Sequence, residues 1–256
     1  MRLKTLLICL IACLGIVGEA SAQTSDSLIV SRLRKEGISF SHDNSVTLLM
    51  NGQEKFDDMF SAIRQARSSI HLEYFNFRND SIASLLFDIL AEKAKEGVEV
   101  RALFDGFGND SNNRPLRKRH LNDIRSRGIE IYEFDPVRFP WVNHVWHRDH
   151  RKIAVIDGQV AFTGGVNLAD EYINRVVRFG HWKDTAVMLR GEAVRSFTLM
   201  FLNMWAIDEH TMEASRFLAY PTKPAMDAPG FVLPYSDSPV DGNKVGEQVY
   251  IDILSR

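Results

Sequence analysis

From Val46 to Asp135 the chain alternates between two hydrophobic periods, and this alternation limits the possible folds more than any other feature. "VTLLMNG" reads as a strand and turn. "QEKFDDMFSAIRQARSS" sets Phe56, Met59, Phe60 and Ile63 at helical spacing. "SIHLEYFNF" alternates and is rich in aromatic and β-branched residues, as strands are. The helix of "DSIASLLFDILAEKAKEG" follows, with Asp80 or Ser81 placed to cap its start and Gly97 to stop it. "VEVRALFD" is the next strand, "PLRKRHLNDIRSRG" the next helix and "IEIYEFD" another strand. Strands separated by helices of one crossover length predict an α/β layered fold, a mostly parallel mixed sheet flanked by helices. "KIAVIDGQVAFTGG" then gives two strands joined by Asp157-Gly158, a hairpin turn pair. "TAVMLRG" adds a strand and "EAVRSFTLMFLNMWAIDE" a long amphipathic helix. From about Ala214 the text is loop-like, with Pro221, Pro224, Pro229, Pro234 and Pro239.

The first residues stand outside that frame. Arg2 and Lys4 precede an apolar run from Thr5 to Gly18, and Ala20-Ser21-Ala22 fits a small-x-small cleavage site. Residues 1–22 therefore read as a secretory signal peptide, with an uncleaved membrane anchor as the alternative. The run is shorter than the roughly 20 residues that span a bilayer comfortably. "LIAC" loosely resembles a lipoprotein box at Cys13, but apolar residues continue past the cysteine. Cys9 and Cys13, the two cysteines, both lie in the leader, so the rest has no thiol for a disulfide, a nucleophile or a metal. Losing Arg2, Lys4 and Glu19 shifts the formal net charge from −2 to −3, which does not suggest a nucleic-acid partner steered by bulk charge.

The expected organisation is a leader (1–22), a lead segment (23–45), one α/β domain (46–213) and a tail (214–256). The tail carries one more signal. "GEQVYIDILSR" (246–256) resembles "GQEKFDDMFSAIR" (52–64): a glycine, polar residues, an aromatic, then apolar positions at helical spacing. The tail is thus expected to be a linker and the opening of a second repeat.

The chemistry centres on "HRDHRKIAVIDG" (147–158). Residues two apart on a strand share a face, so His150 and Lys152 project together and Arg151 points away. An ammonium holds an anionic oxygen and stabilises charge growing on it. An imidazole beside it attacks phosphorus or moves a proton. Such a pair alone is more often a polar strand mouth. "TGGVNLADEY" adds Gly164-Gly165, where a backbone can approach a ligand, and Asn167, whose amide can donate to a phosphate oxygen. "GHWKDTAV" adds Asp184, a carboxylate able to hold the far imidazole nitrogen.

HxK followed by four residues and an aspartate, with GGxN downstream, resembles the HKD motif of the phospholipase D superfamily. "NGQEKFDDMFSAIRQARSSIHLEYF", "AEKAKEGVEVRALFDGFG", "HRKIAVIDGQVAFTGGVNLADEY" and "HWKDTAVMLRGEAV" follow in the order seen in bacterial cardiolipin synthases, over about residues 46–210. The resemblance implies a catalytic motif of His150, Lys152 and Asp157. His150 is then the nucleophile that forms a phosphohistidine. Lys152, Gly165 and Asn167 bind the phosphate, and Asp184 orients the histidine. Asp157 is expected to bond turn or backbone groups rather than substrate. No metal or other cofactor is implied. The substrate would be a phospholipid, phosphatidylglycerol foremost, met at a membrane surface of the bacterial envelope, in the periplasm or at the inner membrane.

Family sites use two facing motifs, one histidine attacking and the other protonating the leaving alcohol. This chain has one HxK with its aspartate. The partner motif is expected from a second repeat in a longer chain, or from a homodimer. Dimerisation suits a second reading, a secreted phosphodiesterase or nuclease; a non-catalytic scaffold is a third. His144, His147 and His150 stand three apart and raise a zinc site, but that spacing does not converge the rings on a strand or loop. Phe139, Trp141 and Trp146 read as core or as a lipid-facing group. Arg114, Arg117, Lys118, Arg119, Arg125 and Arg127 form a basic helix, a solvated face or a contact for anionic lipid.

Overall fold

Each predicted helix has an apolar stripe that needs a sheet to receive it, and the computed structural model builds one of seven strands. It describes residues 30–31, 34, 41, 43–137, 147–207, 217, 230–238 and 244–255. The strands are β1 (Asn44–Leu49), β2 (Ser69–Tyr74), β3 (Glu99–Asp105), β4 (Glu130–Phe134), β5 (Lys152–Ile156), β6 (Val160–Gly164) and β7 (Ala186–Gly191). The helices are α1 (Gly52–Arg64), α2 (Ser81–Lys95), α3 (Gly106–Asp110), α4 (Lys118–Ser126), α5 (Ala193–Ile207) and α6 (Val245–Leu254), with a 3-10 turn at Asp170–Ile173.

The sheet order is β1-β7-β6-β5-β2-β3-β4. Five strands (β1, β2, β3, β4, β6) point one way, and β5 and β7 point the other. The expected α/β mixed sheet is present, and "mostly parallel" holds for strand direction. It does not describe the pairing: only β2–β3 and β3–β4 are parallel neighbours. The cause is the hairpin. Asp157 (φ 54) and Gly158 (φ 62) form a tight turn, so β6 folds back on β5, and β5 inserts antiparallel beside β2.

Helices cover both sheet faces. α1, α2 and α4 bury Phe56, Met59, Ile63, Leu86, Leu90 and Ile124 against Ile70, Leu72, Ala102 and Ala154. α5 covers the other face, with Val194 and Phe197 on Ile153 and Val155, and Phe201 and Trp205 on Leu103. Each such side chain contributes about 1.5–3 kcal/mol on leaving water. β2 therefore has no solvent face. Its polar positions, His71 and Glu73, lie beneath α5, where His71 stacks on Phe201 at 4.5 Å. Burial, reinforced by Arg101, lowers the His71 pKa to about 3, so this ring is neutral core.

The ends of α2 follow their sequence signals. Asp80 is the N-cap and accepts from Ala83 N at 3.3 Å; Gly97 (φ 90) ends the helix. A second cap was not anticipated: Asp170 accepts from Ser81 N (3.1 Å), Ser81 Oγ (2.7 Å) and Ile82 N (2.9 Å). This ties the 3-10 turn to α2. α4 starts at Lys118 rather than Pro115, because Leu116 N is already bonded to Asn109 Oδ1 of α3 at 2.8 Å.

One compact unit spans Phe40–Val245. Ser41 and Val232 pair as an antiparallel bridge, and Phe217 is buried with α5. Residues Val245–Leu254 form the helix α6. The leader lies outside the described residues. Among the described residues no helix is long and apolar enough to cross a membrane.

Candidate active site

β5 carries the motif by its register. Lys152 stands opposite Tyr74 of β2, and residues directly opposed in an antiparallel pair share a face. Lys152 therefore lies on the face of Tyr74 and Leu72, and Arg151 falls on the other. There Arg151 Nε meets Glu73 Oε1 at 2.9 Å and Asp149 Oδ1 at 3.2 Å. His150 and Lys152 flank one aromatic ring, Phe75. The imidazole centroid lies 4.6 Å from it, and the ammonium 5.4 Å. The Lys152 ammonium also donates to the carbonyl oxygen of His150. His150 is exposed while Lys152 is buried, so the imidazole faces solvent with the cation seated behind it.

The loop entering β5 is fixed from beneath. The fully buried Asp105 accepts from Gly108 N (2.9 Å), Asp149 N (2.8 Å) and Arg148 Nη1 (3.3 Å), and Arg148 also pairs with Asp135. Glu73 and Asp149 sit together in this buried cluster. Burial first, then the Asp149 charge, pushes the Glu73 carboxyl up, with the Arg151 charge opposing the shift.

β6 ends and β7 begins at the same sheet end, because Gly164 pairs with Ala186. This brings in Asn167 and Asp184. Asn167 is buried; its Nδ2 donates to Tyr172 Oη at 2.8 Å, and its Oδ1 has no partner among the described residues. Asp184 accepts from Thr185 N (2.8 Å) and Trp182 Nε1 (3.3 Å). No hydrogen bond joins Asp184 to His150 among the described residues; its carboxylate acts instead on Lys152 and Lys55 through charge.

Gly165 sits against the Asp184 carboxylate. Its N–H is bonded to Thr185 O at 3.2 Å, so it is not free for a phosphate. A Cβ there would lie 2.3 Å from Asp184 Oδ1. Glycine at this position makes room for the Asp184 carboxylate. Gly165→Ala should displace that carboxylate and lower kcat/KM by roughly tenfold to a hundredfold, the usual cost of misplacing a group by about 1 Å. Steady-state kinetics alongside an unchanged circular dichroism spectrum check this.

Asp157 lies at the far end of β5 from His150. Its carboxylate accepts from Arg67 N (2.9 Å), Ser68 N (2.8 Å) and Ser69 N (2.9 Å), and its own N–H donates to Ser69 O at 2.8 Å. It clamps the α1–β2 turn and does not reach His150. A polar groove of about 930 Å³ opens beside it, between Arg67, Gln159 and Arg190, remote from His150.

Partial desolvation of the imidazole, then the Lys152 charge, lowers the His150 pKa, with Asp149 opposing the shift. Burial also lowers Lys152 to about 8, with Asp149, Asp184 and Asp105 opposing the shift.

Several contributors escaped the sequence reading. Phe75, which seats both motif side chains, stood in a strand-like run with nothing to mark it. Lys55 is buried on α1, donates to Tyr74 Oη at 2.7 Å and is pushed well down by burial. Its signal was present: Lys55 falls on the stripe of Gly52, Phe56, Met59 and Ile63. Phe139, Trp141, His144 and Trp146 lie outside the described residues. The basic helix is partly tied down, Arg125 to Ile131 O at 2.7 Å and Arg127 to Asp88 at 2.6 Å.

Residues 59–205 match the family described as cardiolipin synthase, PLD-like domain. A protein of Streptococcus mutans with no assigned role is 46% identical over 87% of this chain and 48% of its own length. A cardiolipin synthase of Halalkalibacterium halodurans is 45% identical over 70% of this chain and 34% of its own length. The chain thus spans about half or a third of the length of the curated relatives it matches. The phosphatidylserine synthase of Haemophilus influenzae shares the fold, with a TM-score of 0.60 and 13% identity over 88% of this chain and 57% of that one. The motif on β5, the sheet that presents it and the match over most of that domain agree: the chain belongs to the phospholipase D superfamily, in its cardiolipin synthase-like group.

Proposed function

We propose that the chain supplies one half of the active site of a phosphatidyltransferase of cardiolipin synthase type. The observation that carries this is the seating of His150 and Lys152 on one aromatic ring, at the sheet end where Asn167 and Asp184 also arrive. A nitrogen of His150 attacks the phosphorus of a phosphatidyl donor. The bond from phosphorus to the leaving alcohol breaks, and that oxygen takes a proton from the partner motif. The phosphatidyl group rests on His150 as a phosphohistidine until the hydroxyl of a second lipid displaces it, giving its proton back to the same group. Lys152 and the second amide hydrogen of Asn167 bind the phosphate oxygens. Asp184 keeps Lys152 charged; orienting His150 as well requires its carboxylate to leave Trp182. Asp157 is structural in this scheme. The partner motif comes from a second repeat or a second subunit, and the substrate is met at a membrane of the cell envelope.

The test uses the whole protein and phosphatidylglycerol vesicles. Cardiolipin and glycerol should appear in equal amounts. The pH profile of kcat/KM follows from the two shifts. His150 must be unprotonated, and its pKa is depressed, so the acid limb lies below the usual histidine range. Lys152 must be protonated, so activity falls as pH rises through about 8. Lys152→Arg should move that alkaline limb upward, since a guanidinium stays charged. Cleavage of oligonucleotides without lipid transfer would overturn the reading in favour of a dimeric phosphodiesterase, which the single motif in the chain also suits.

A further inference from the structure

Beside the proposed site the chain makes a protrusion that the chemistry does not use. Asn174, in the left-handed region at φ 58, bonds both backbone groups of Trp182: its Nδ2 donates to the Trp182 carbonyl at 3.0 Å, and its Oδ1 accepts from Trp182 N at 2.7 Å. These bonds pinch the base of a loop, residues 175–181, every one of which is exposed. Val176 is 47% exposed, Val177 73% and Phe179 67%. Three large apolar side chains within four residues of a loop tip are not accounted for by the domain's own core. Cations surround them. Arg178 lies over the Phe179 ring at 4.7 Å, and the sequence from Arg175 to Lys183 contains no acid; Arg175 Nη1 also donates to Ser81 Oγ at 3.2 Å, and Asp184 follows Lys183. Lys183 also donates to the carbonyl of Met50, whose side chain is 48% exposed.

The base of this loop is built into the site. The Trp182 ring packs on Tyr172 at 4.6 Å; Tyr172 accepts from Asn167, and Trp182 Nε1 donates to Asp184. A surface that touched the tip would thus lie next to the phosphate-binding residues.

We infer that the loop 175–181 docks on an anionic phospholipid surface, inserting Val176, Val177 and Phe179 among the acyl chains while Arg175, Arg178 and Lys183 meet the headgroups. Apolar residues ringed by cations have the composition of an interfacial anchor. A protein partner for this tip would need an acidic rim around an apolar socket; an anionic bilayer offers both in any orientation. The inference rests on the phospholipid reading of the site and places the donor lipid beside His150 rather than in free solution.

The experiment is co-sedimentation of the whole protein with vesicles of phosphatidylglycerol and phosphatidylcholine, against phosphatidylcholine alone. The unaltered protein should prefer the anionic vesicles, and salt should weaken the preference. Val177→Asp/Phe179→Asp should reduce that affinity by at least about tenfold, and Arg178→Gln by about fivefold. Hydrolysis of a water-soluble short-chain phosphodiester by the double variant should match that of the unaltered protein, which also shows it folded. Vesicle binding that is unchanged in the double variant overturns the inference, as does equal binding of the unaltered protein to both vesicle types. Loss of self-association in the double variant with vesicle binding intact would assign the tip to a protein interface and overturn it too. Absence of hydrolysis by the unaltered protein would count against the site instead, since binding is read separately.

Discussion

Replacing His150 with alanine should lower lipid transfer by a factor on the order of 10⁵ while leaving the fold standing. The large loss follows from the assigned role. A nucleophile that forms the covalent intermediate has no substitute within reach, and removing such a group commonly costs on the order of 10⁴ to 10⁶ in kcat. The small structural effect follows from position. His150 is exposed, and its ring contact is with Phe75, so its removal leaves no buried cavity and no orphaned partner. A surface change of this kind shifts stability by about 0.5 kcal/mol or less. Transfer assays and thermal unfolding, run on the same preparation, separate the two effects. A donor labelled at phosphorus also bears on the role: an acid-labile, base-stable protein-bound label, as a phosphohistidine gives, should be trapped on the unaltered protein and absent from the variant. Transfer by His150→Ala within tenfold of normal would exclude this residue as the nucleophile.

The sequence carried the elements better than their arrangement. Each strand and long helix was written in periodicity, and Asp80, Gly97 and Asp157-Gly158 marked their own boundaries by capping and turn chemistry. The insertion of β5 beside β2 was not legible, because pairing between Lys152 and Tyr74 joins residues far apart in the chain with nothing local to specify it. The shared face of His150 and Lys152 was legible for the opposite reason: strand alternation alone dictates it. Gly165 shows where local reasoning stops. A glycine after a strand signals a close approach, but whether a ligand or a side chain approaches depends on Asp184, which arrives from β7. Glu73 and Lys55 were hidden differently. Both are charged residues within otherwise ordinary amphipathic patterns, and only the covering of both sheet faces makes them buried.

Asp157 permits the sharpest separation of motif membership from chemistry. It belongs to the same sequence signature as His150, yet its carboxylate is committed to three backbone N–H groups at the α1–β2 turn. Asp157→Asn is the appropriate change, since asparagine tolerates the positive φ of 54 that alanine would strain. It keeps one acceptor oxygen but places an NH₂ group against donors and removes the charge that strengthens all three bonds. A loss of about 2–3 kcal/mol is expected, within the range for hydrogen bonds to charged groups. For a domain of this size that lowers the midpoint of thermal unfolding by roughly 5–10 °C. At 25 °C, where the variant is still folded, kcat/KM should stay within about threefold of normal, because the turn lies across the full length of β5 from the imidazole. His150→Ala and Asp157→Asn thus carry inverse signatures: activity lost with stability kept, and stability lost with activity kept. A thousandfold fall in kcat/KM for Asp157→Asn with no change in unfolding temperature would mean that the aspartate acts on the reaction, and that the division of labour along β5 is wrong.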